Sequence, residues 1–436
     1  MSTVLPYNAI PFVEWPPDYQ HHLAPLLAQA YQQYGPIFRA TYLEQELVFL
    51  VGPEANRFVL VSNSHKFSNF IGWGTIFTTA KVFGRSILAM DGDEHTYYRK
   101  IMNQAFTISY MDRYVPLMNR IIRKRTQSWP AAGEVRLFKE ARQMTFDIAA
   151  QALISLEEGD EIEYFRTLFV NLARLPMAAT SQEDFDARLE VLHREMHALL
   201  LPKIEERRKQ PTDDIFGMLV QARDEYGHVI SDEQLIPQIN ILLLAGHESS
   251  TSLSTWLCYL LNQHPDYTQR VLQEQEAILG SRSEPTLEDI KRMKVLDHAL
   301  SEAERLYPPL ANGPRGVVED FEFNGYHIPA GSKVFYSVIS SHMMPSIFAN
   351  PDTFDPDRFA SPREEDKKCP YSLVGFGAGP HICPGMNFAR VEIKAMLSHI
   401  LRNYTLELVP GQEIYQFYRA LSWPAKGIRM RVTERK

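Results

Sequence analysis

The sequence is short of cysteine. Its 436 residues contain only Cys258, Cys369 and Cys383, an odd and sparse set that excludes a disulfide framework and fits a reducing, cytoplasmic setting. Long apolar runs are missing as well. The best of them, INILLLAG from Ile239, meets His247, Glu248 and a hydroxyl cluster far short of the roughly 18 residues a membrane span needs. The N-terminal stretch MSTVLPYNAIPFVEWPPDYQ has no basic segment leading into an apolar run, so no secretory leader is expected. No concentrated positive charge stands out either. With 45 Lys+Arg against 53 Asp+Glu the net charge is −8, which argues against a nucleic-acid binder. The short basic runs RIIRKR (Arg120–Arg125) and EERRKQ (Glu205–Gln210) read as solvated helix faces. Internal repeats, low-complexity tracts and flexible linkers are lacking, which favours one domain over residues 1–436.

What is present is an ordinary globular balance, 45% hydrophobic and 22% charged, and a helical pattern over most of the first 305 residues. Helices are expected at Asp18–Tyr34, Pro53–Val61, Glu94–Ala105, Met111–Trp129, Lys139–Ile154 and Glu183–Arg208, with a strand pair across Pro36–Gly52. The segment Phe67–Asp91 and the stretch PMAATSQED read as irregular. A long helix is expected from Ser231 and Gln234, spaced as a capping box, to His264, where Pro265 stops it. Pro237 is awkward inside it and argues for a later start. Apolar residues surround this helix, so it should be buried. After Arg305, Pro- and Gly-rich loops alternate with short strands. The expected fold is mainly α with small β-sheets, α+β in class.

One cysteine stands in unusual company. In GFGAGPHICPG (Gly375–Gly385), Cys383 is followed by Pro384, favoured at the first position of a helix, and then by a strongly helical run. A cysteine at a helix N-terminus is biased towards thiolate, and the glycines leave backbone bare for the close approach of a flat ligand. Three readings compete for Cys383: an inert buried thiol, a zinc site with Cys369 and His381, and a thiolate ligand to haem iron.

The string Phe376, Gly379, His381, Cys383 and Gly385 resembles the cysteine-ligand signature of the cytochrome P-450 family, F-x-x-G-x-(R or H)-x-C-x-G. Ala389, Arg390 and Glu392 in the following helix also resemble that family. Further motifs come in the family's order. Glu302 and Arg305 in SEAERLYPP form its E-x-x-R pair, on one helix face by their spacing. Arg358 in NPDTFDPDRF resembles the arginine that completes a buried cluster behind the cysteine loop. AGHESST (Ala245–Thr251) resembles its A-G-x-(D or E)-T-(T or S) segment over the oxygen-binding face, with Glu248 as the acid and Ser249 where the family has threonine. Serine keeps the hydroxyl but loses the methyl that restricts χ1, and it can turn back to the Ala245 carbonyl; Ser250 or Thr251 could share its task. His95 and Arg99 match the propionate-binding H-x-x-x-R, and Arg315 stands where the family places another propionate contact.

The resemblance covers nearly the whole chain. It implies one haem b with Cys383 as the iron ligand, His95, Arg99, Arg315 and His381 around its propionates, and Phe376, Gly377 and Ala245 against the ring. It implies a monooxygenase using O2, with Glu248 and Ser249 organising proton delivery. It further implies a monomer without a fused reductase, served by a ferredoxin or flavodoxin and its NAD(P)H-dependent reductase. Lys100, Arg390 and Lys394 are candidates for docking that partner. The pocket segments offer Phe70, Trp73, Ile76, Phe77, Leu175, Met177, Leu244, Leu310 and Leu421, which points to a fairly large apolar substrate such as a terpenoid, steroid, fatty acid or macrocycle. The rival readings are a peroxide-driven hydroxylase or haem-thiolate isomerase or lyase, which Ser249 keeps open, and a non-catalytic haem sensor or carrier.

Overall fold

Why the chain folds around one helix is visible in the burial of that helix. Among residues 4–223 and 227–435, which the computed structural model describes, the longest helix runs Asp232–Gln263 and is buried on nearly all sides from Leu235 onward. At 1.5 Å per residue it spans about 48 Å. It begins where the capping pair predicts, with the Ser231 amide donating to Gln234 Oε1 at 3.3 Å. Pro237 does not delay the start. It lies in the second turn, where its ring packs on Gly84, so closely that a Cβ on Gly84 would stand 2.6 Å from Pro237 Cγ.

The helix Leu137–Ile154 lies along this central helix. Small residues make that approach possible: a Cβ on Gly246 would meet Leu153 Cδ1 at 3.3 Å and Ala149 Cβ at 3.7 Å. The helices Ile108–Thr126, Asp160–Ala178, Gln182–Lys209, Lys294–Leu306 and Met386–Asn403 complete the helical body and share its large core. The helix expected from Asp18 starts at Leu23, after a 3-10 turn at Tyr19–His21. The helix Asp160–Ala178 takes in Pro176 near its end, so the irregular stretch is shorter than PMAATSQED.

A six-stranded sheet forms a second layer, in the order Phe12–Val13, Ile37–Tyr42, Gln45–Val51, Lys333–Ser337, Asn312–Val317, Phe67–Ser68. Its hairpin turns at Leu43 and Glu44, both at positive φ, as a tight two-residue turn demands. The strand Asn312–Val317 runs antiparallel to Lys333–Ser337 and brings Arg315 opposite Val334. The smaller sheets pair Tyr404–Leu408 and Glu134–Arg136 with Arg429–Glu434, Gln416–Tyr418 with Ser422–Pro424, and Phe321–Phe323 with Tyr326–Ile328. After the edge strand Phe67–Ser68, the stretch to Asp91 is a chain of short helical turns. The architecture is mainly α with small sheets, as expected. Among the described residues no helix is long and apolar enough to cross a membrane.

Candidate active site

The cysteine loop is held open by its own backbone. Gly377 and Gly379 take φ of +74° and +66°, where other side chains are strained, and a Cβ on Gly379 would strike the Leu60 carbonyl at 2.0 Å. The Cys383 amide donates to the Phe376 carbonyl at 2.8 Å, closing the loop. The helix that follows begins at Met386 with Gly385 as its cap, so Pro384 does not occupy its first position. The cysteine therefore sits ahead of the helix, not on it. Burial raises the Cys383 thiol above its ordinary range, while the Gly385 amide and Arg99 pull the other way. A metal cation bound at the sulfur would favour the thiolate against this burial. Cys369 does not join it: among the described residues no group of three His, Cys, Asp or Glu side chains is placed to hold a metal ion.

Behind the loop stands a buried charge cluster. Arg305 grips Glu302 through Nε and Nη2 at 2.7 and 2.8 Å, and Arg358 Nε reaches the same carboxylate at 3.1 Å. Arg358 Nη1 continues to Glu365 at 2.6 Å. Glu302, Arg305 and Arg358 are fully buried, so removing one partner would strand a charge, at a cost of about 3–5 kcal/mol. The link from this cluster to the loop is a residue the motifs do not announce. His342 lies against Arg305, whose Nη1 donates to the His342 carbonyl at 3.0 Å, and its Nε2 accepts from the Val374 amide at 3.0 Å, one residue before Gly375. Burial and the Arg305 charge push His342 down to about 3, so it stays neutral and able to accept.

A cationic cluster faces the same cavity. The rings of His95 and His381 lie 3.8 Å apart, and Arg99 and Arg315 join them in the cavity wall. Asp91 anchors the helix that carries His95 and Arg99 by accepting from the Asn69 amide at 2.7 Å. Among the described residues the two guanidiniums find only neutral hydrogen-bond partners: Arg99 Nε donates to Asn103 Oδ1 at 2.9 Å, and Arg315 Nη1 to the Pro314 carbonyl at 2.7 Å. Arg315 is 5% exposed. Buried charge without a counter-ion is costly, so this cluster demands an anion. Burial, with His95 and the two arginines behind it, drives His381 down to about 3. A thiol on one side and an unsatisfied cationic cluster beside it fit a flat, dianionic metal macrocycle.

Across the cavity the central helix presents Ala245, Gly246, Ser249 and Ser250. Ser249 Oγ donates to the Ala245 carbonyl at 2.8 Å, the back-bond expected of serine here. Thr251 is committed inside the protein to Thr145 at 2.7 Å and the His247 carbonyl at 2.8 Å. The Ser250 hydroxyl faces the fully buried carboxyl of Glu392 without a well-formed hydrogen bond between them. Burial pushes that carboxyl up to about 8, an effect the Ser250 hydroxyl only tempers. Glu248 is the one predicted site residue that does not line the cavity. It turns to Arg142 Nη2 at 2.9 Å and His247 Nε2 at 3.2 Å. Burial would raise its carboxyl, but these partners prevail and hold it at about 2, ionised.

All other predicted site residues converge: Cys383, His95, Arg99, Arg315, His381, Phe376, Gly377, Ala245 and Ser249 share one cavity. Its atom-free space totals about 1480 Å³, the open mouth included. On the substrate side Trp73, Leu310 and Leu421 line it as expected, joined by Ile87, Leu88 and Leu242. Other expected contacts do not. Phe70 is 40% exposed beneath the Arg85 guanidinium and Met177 is 46% exposed, while Leu175 is buried in the helical core and Leu244 packs against it. Ile76 and Phe77 belong to the sheet-side core, where Phe77 stacks on Phe335. Arg390 and Lys394 are not free for docking either: both bind Asp297, at 3.1 and 3.0 Å, whereas Lys100 is exposed.

Comparison with known proteins agrees with this geometry. The sequence model of the Cytochrome P-450 family matches residues 6–432. Cytochrome P-450 120 of Synechocystis is 33% identical over 92% of this chain and 90% of its own. Beta-amyrin 28-monooxygenase of Solanum lycopersicum is 28% identical over 91% of this chain and 84% of its own. Among solved structures, retinoic acid bound cyanobacterial CYP120A1 superposes with a TM-score of 0.86 at 30% identity, covering 99% of this chain and 100% of that one. The cysteine loop, the charge cluster behind it and the match over nearly the whole chain lead to one conclusion: the chain belongs to the cytochrome P-450 family and is a haem-thiolate monooxygenase.

Proposed function

We propose that the chain holds haem b, accepts electrons from a separate ferredoxin or flavodoxin and its NAD(P)H-dependent reductase in the cytoplasm, and hydroxylates an isoprenoid-derived apolar substrate. Haem b is favoured because Cys383 is the only cysteine in the cavity wall, which leaves no cysteine pair to tether a ring covalently. The substrate class rests on one observation above all: the free side of the cavity is walled by Trp73, Ile87, Leu88, Leu242, Leu310 and Leu421, with little to anchor a polar ligand. The compounds named with two similar proteins, retinoic acid bound in one structure and beta-amyrin in the name of one relative, are both isoprenoid-derived and largely apolar.

When bound, the haem supplies oxygen activation, and the thiolate favours O–O cleavage. The chain does the rest. Cys383 would ligate, Arg99 and Arg315 would neutralise the carboxylates, and the neutral His95 and His381 would hydrogen-bond them. The apolar wall desolvates and orients the substrate. Ser249, with its hydrogen turned to the Ala245 carbonyl, keeps its lone pairs towards the cavity and can hold a water there. Glu248 enters proton delivery only by leaving Arg142, so Arg142 sets how readily the carboxylate reaches the relay.

Titration with retinoic acid, a triterpenoid alcohol, a steroid and a fatty acid tests the reading through the low- to high-spin optical shift. The isoprenoids should give a saturable shift at lower concentration than the fatty acid. No shift with any lipophilic compound would sink the proposal.

A further inference from the structure

Between the two residues of the buried Glu302–Arg305 pair lies a second acid with a different outlook. Glu304 is on the same helix, but two residues from Glu302 turns it off the face shared with Arg305. It is 3% exposed, and its carboxyl faces the cavity that Cys383 lines. It packs on the cysteine loop so tightly that a Cβ on Gly375 would lie 2.4 Å from its Oε1. Its compensation is thin. Arg390 Nη1 stands 3.6 Å from Oε2, beyond hydrogen-bond range, and that guanidinium is engaged more closely by Asp297 at 3.1 Å and by Ser301 Oγ at 2.9 Å. The Gly375 amide donates one hydrogen bond to the carboxyl from the loop, and the further acids Asp297 and Asp366 are of like sign.

We propose that Glu304 is a positioning residue for electron entry: a buried carboxyl on the thiolate side of the cavity that opposes reduction of the bound haem and so sets its potential. The inference rests on the haem-thiolate reading. Reduction adds one electron to a centre that already carries an anionic ligand, and a second anion in a low-dielectric wall disfavours it. Glu304 also bears on the sulfur itself, since its charge raises the Cys383 thiol. The loop's first glycine then has a specific reason: only a residue without a Cβ admits this carboxyl.

The test is the midpoint potential of the haem-loaded protein, poised with dithionite and mediators, in the parent and in Glu304→Gln, Glu304→Leu and Glu304→Asp. Haem content and the red-shifted reduced carbon monoxide band are recorded first. At pH 8.5 the Gln and Leu variants should favour the ferrous form about tenfold over the parent, roughly 59 mV for one electron, with the thiolate band intact. Asp, which keeps the charge, should stay within threefold. Burial raises Glu304 to about 7 against the pull of Arg390, so the gap between parent and Gln should narrow at pH 6. Equal potentials in parent and neutral variants, or equal shifts in Gln and Asp, would overturn the proposal. So would loss of haem in both neutral variants while Asp retains it, which would make Glu304 scaffold. A parent without the thiolate band would instead overturn the family-based reading beneath it.

Discussion

The two walls of the cavity are built on opposite plans. On the thiolate side, Glu302, Arg305, Arg358 and His342 are fully buried and bonded to one another, and the chain of bonds ends on the Val374 amide beside the cysteine loop. On the oxygen side, the central helix meets the buried Glu392 carboxyl of the helix after Cys383 only through the loosely placed Ser250 hydroxyl, and it holds the ionised Glu248 away on Arg142. A satisfied network rigidifies, whereas spare polar atoms leave room for water and rearrangement. The ligand loop is thus fixed before any reaction begins, while on the oxygen side Glu248 must first leave Arg142 to reach the cavity.

Substitutions that break this contrast should be graded in effect. The largest is Cys383→Ser, which leaves the fold but removes the thiolate. The red-shifted reduced carbon monoxide band should vanish and turnover should fall to background. Next is the rigid wall. Arg358→Ala strands part of the Glu302 charge and should cost about 3–5 kcal/mol in urea unfolding, with haem content falling in parallel. A smaller loss than in an exposed pair such as Lys426–Glu413 would contradict the wall's rigidity.

The oxygen-side wall should respond in rate, not in stability. Glu248→Gln should lower turnover about 10²-fold, at the low end for a positioned acid–base group, with haem content and unfolding midpoint little changed. Ser249→Ala should lower the ratio of product to NAD(P)H consumed, and Ser249→Thr should preserve or raise it. Equal coupling in all three Ser249 forms would shift the relay to Ser250.

The smallest effect is in pH. Glu392, raised to about 8 when folded, binds its proton more tightly in the folded state, so stability should decline as pH rises from about 4.5 through 8. Glu304, raised to about 7, adds to the same limb. His342, lowered to about 3, acts in the other direction: below about 6.5 the unfolded chain takes up a proton that the folded one refuses, so stability falls towards pH 3. Between pH 5 and 6.5 the two raised acids outweigh the one histidine, so unfolding midpoints should fall from pH 5 through 6.5 to 8.5, and Glu392→Gln should flatten the alkaline limb.

Much of this was legible where the chemistry is local in the chain. The cysteine loop, the Glu302–Arg305 pair, the central helix and even the back-bond of Ser249 follow from neighbours within a few residues. What escaped depends on distant partners. Nothing within SSHMM marks His342 as the bridge to Val374, 32 residues on. Glu248 looked like a free acid because Arg142, 106 residues earlier, is invisible to its own motif. Phe70 and Met177 were assigned to the cavity from their segments alone, but an irregular backbone does not fix which way a side chain turns. The first-position reading of Pro384 failed because Gly385 caps the helix one residue later.

The account's central claim is that this geometry activates molecular oxygen and inserts one of its atoms. The most direct measurement is isotopic: turnover of a shift-inducing isoprenoid under 18O2, with NAD(P)H and a surrogate ferredoxin and reductase, and mass analysis of the product. The account predicts one 18O atom per hydroxylated product and strict dependence on NAD(P)H. Product that forms only with hydrogen peroxide, or that carries no 18O from the gas, would contradict it.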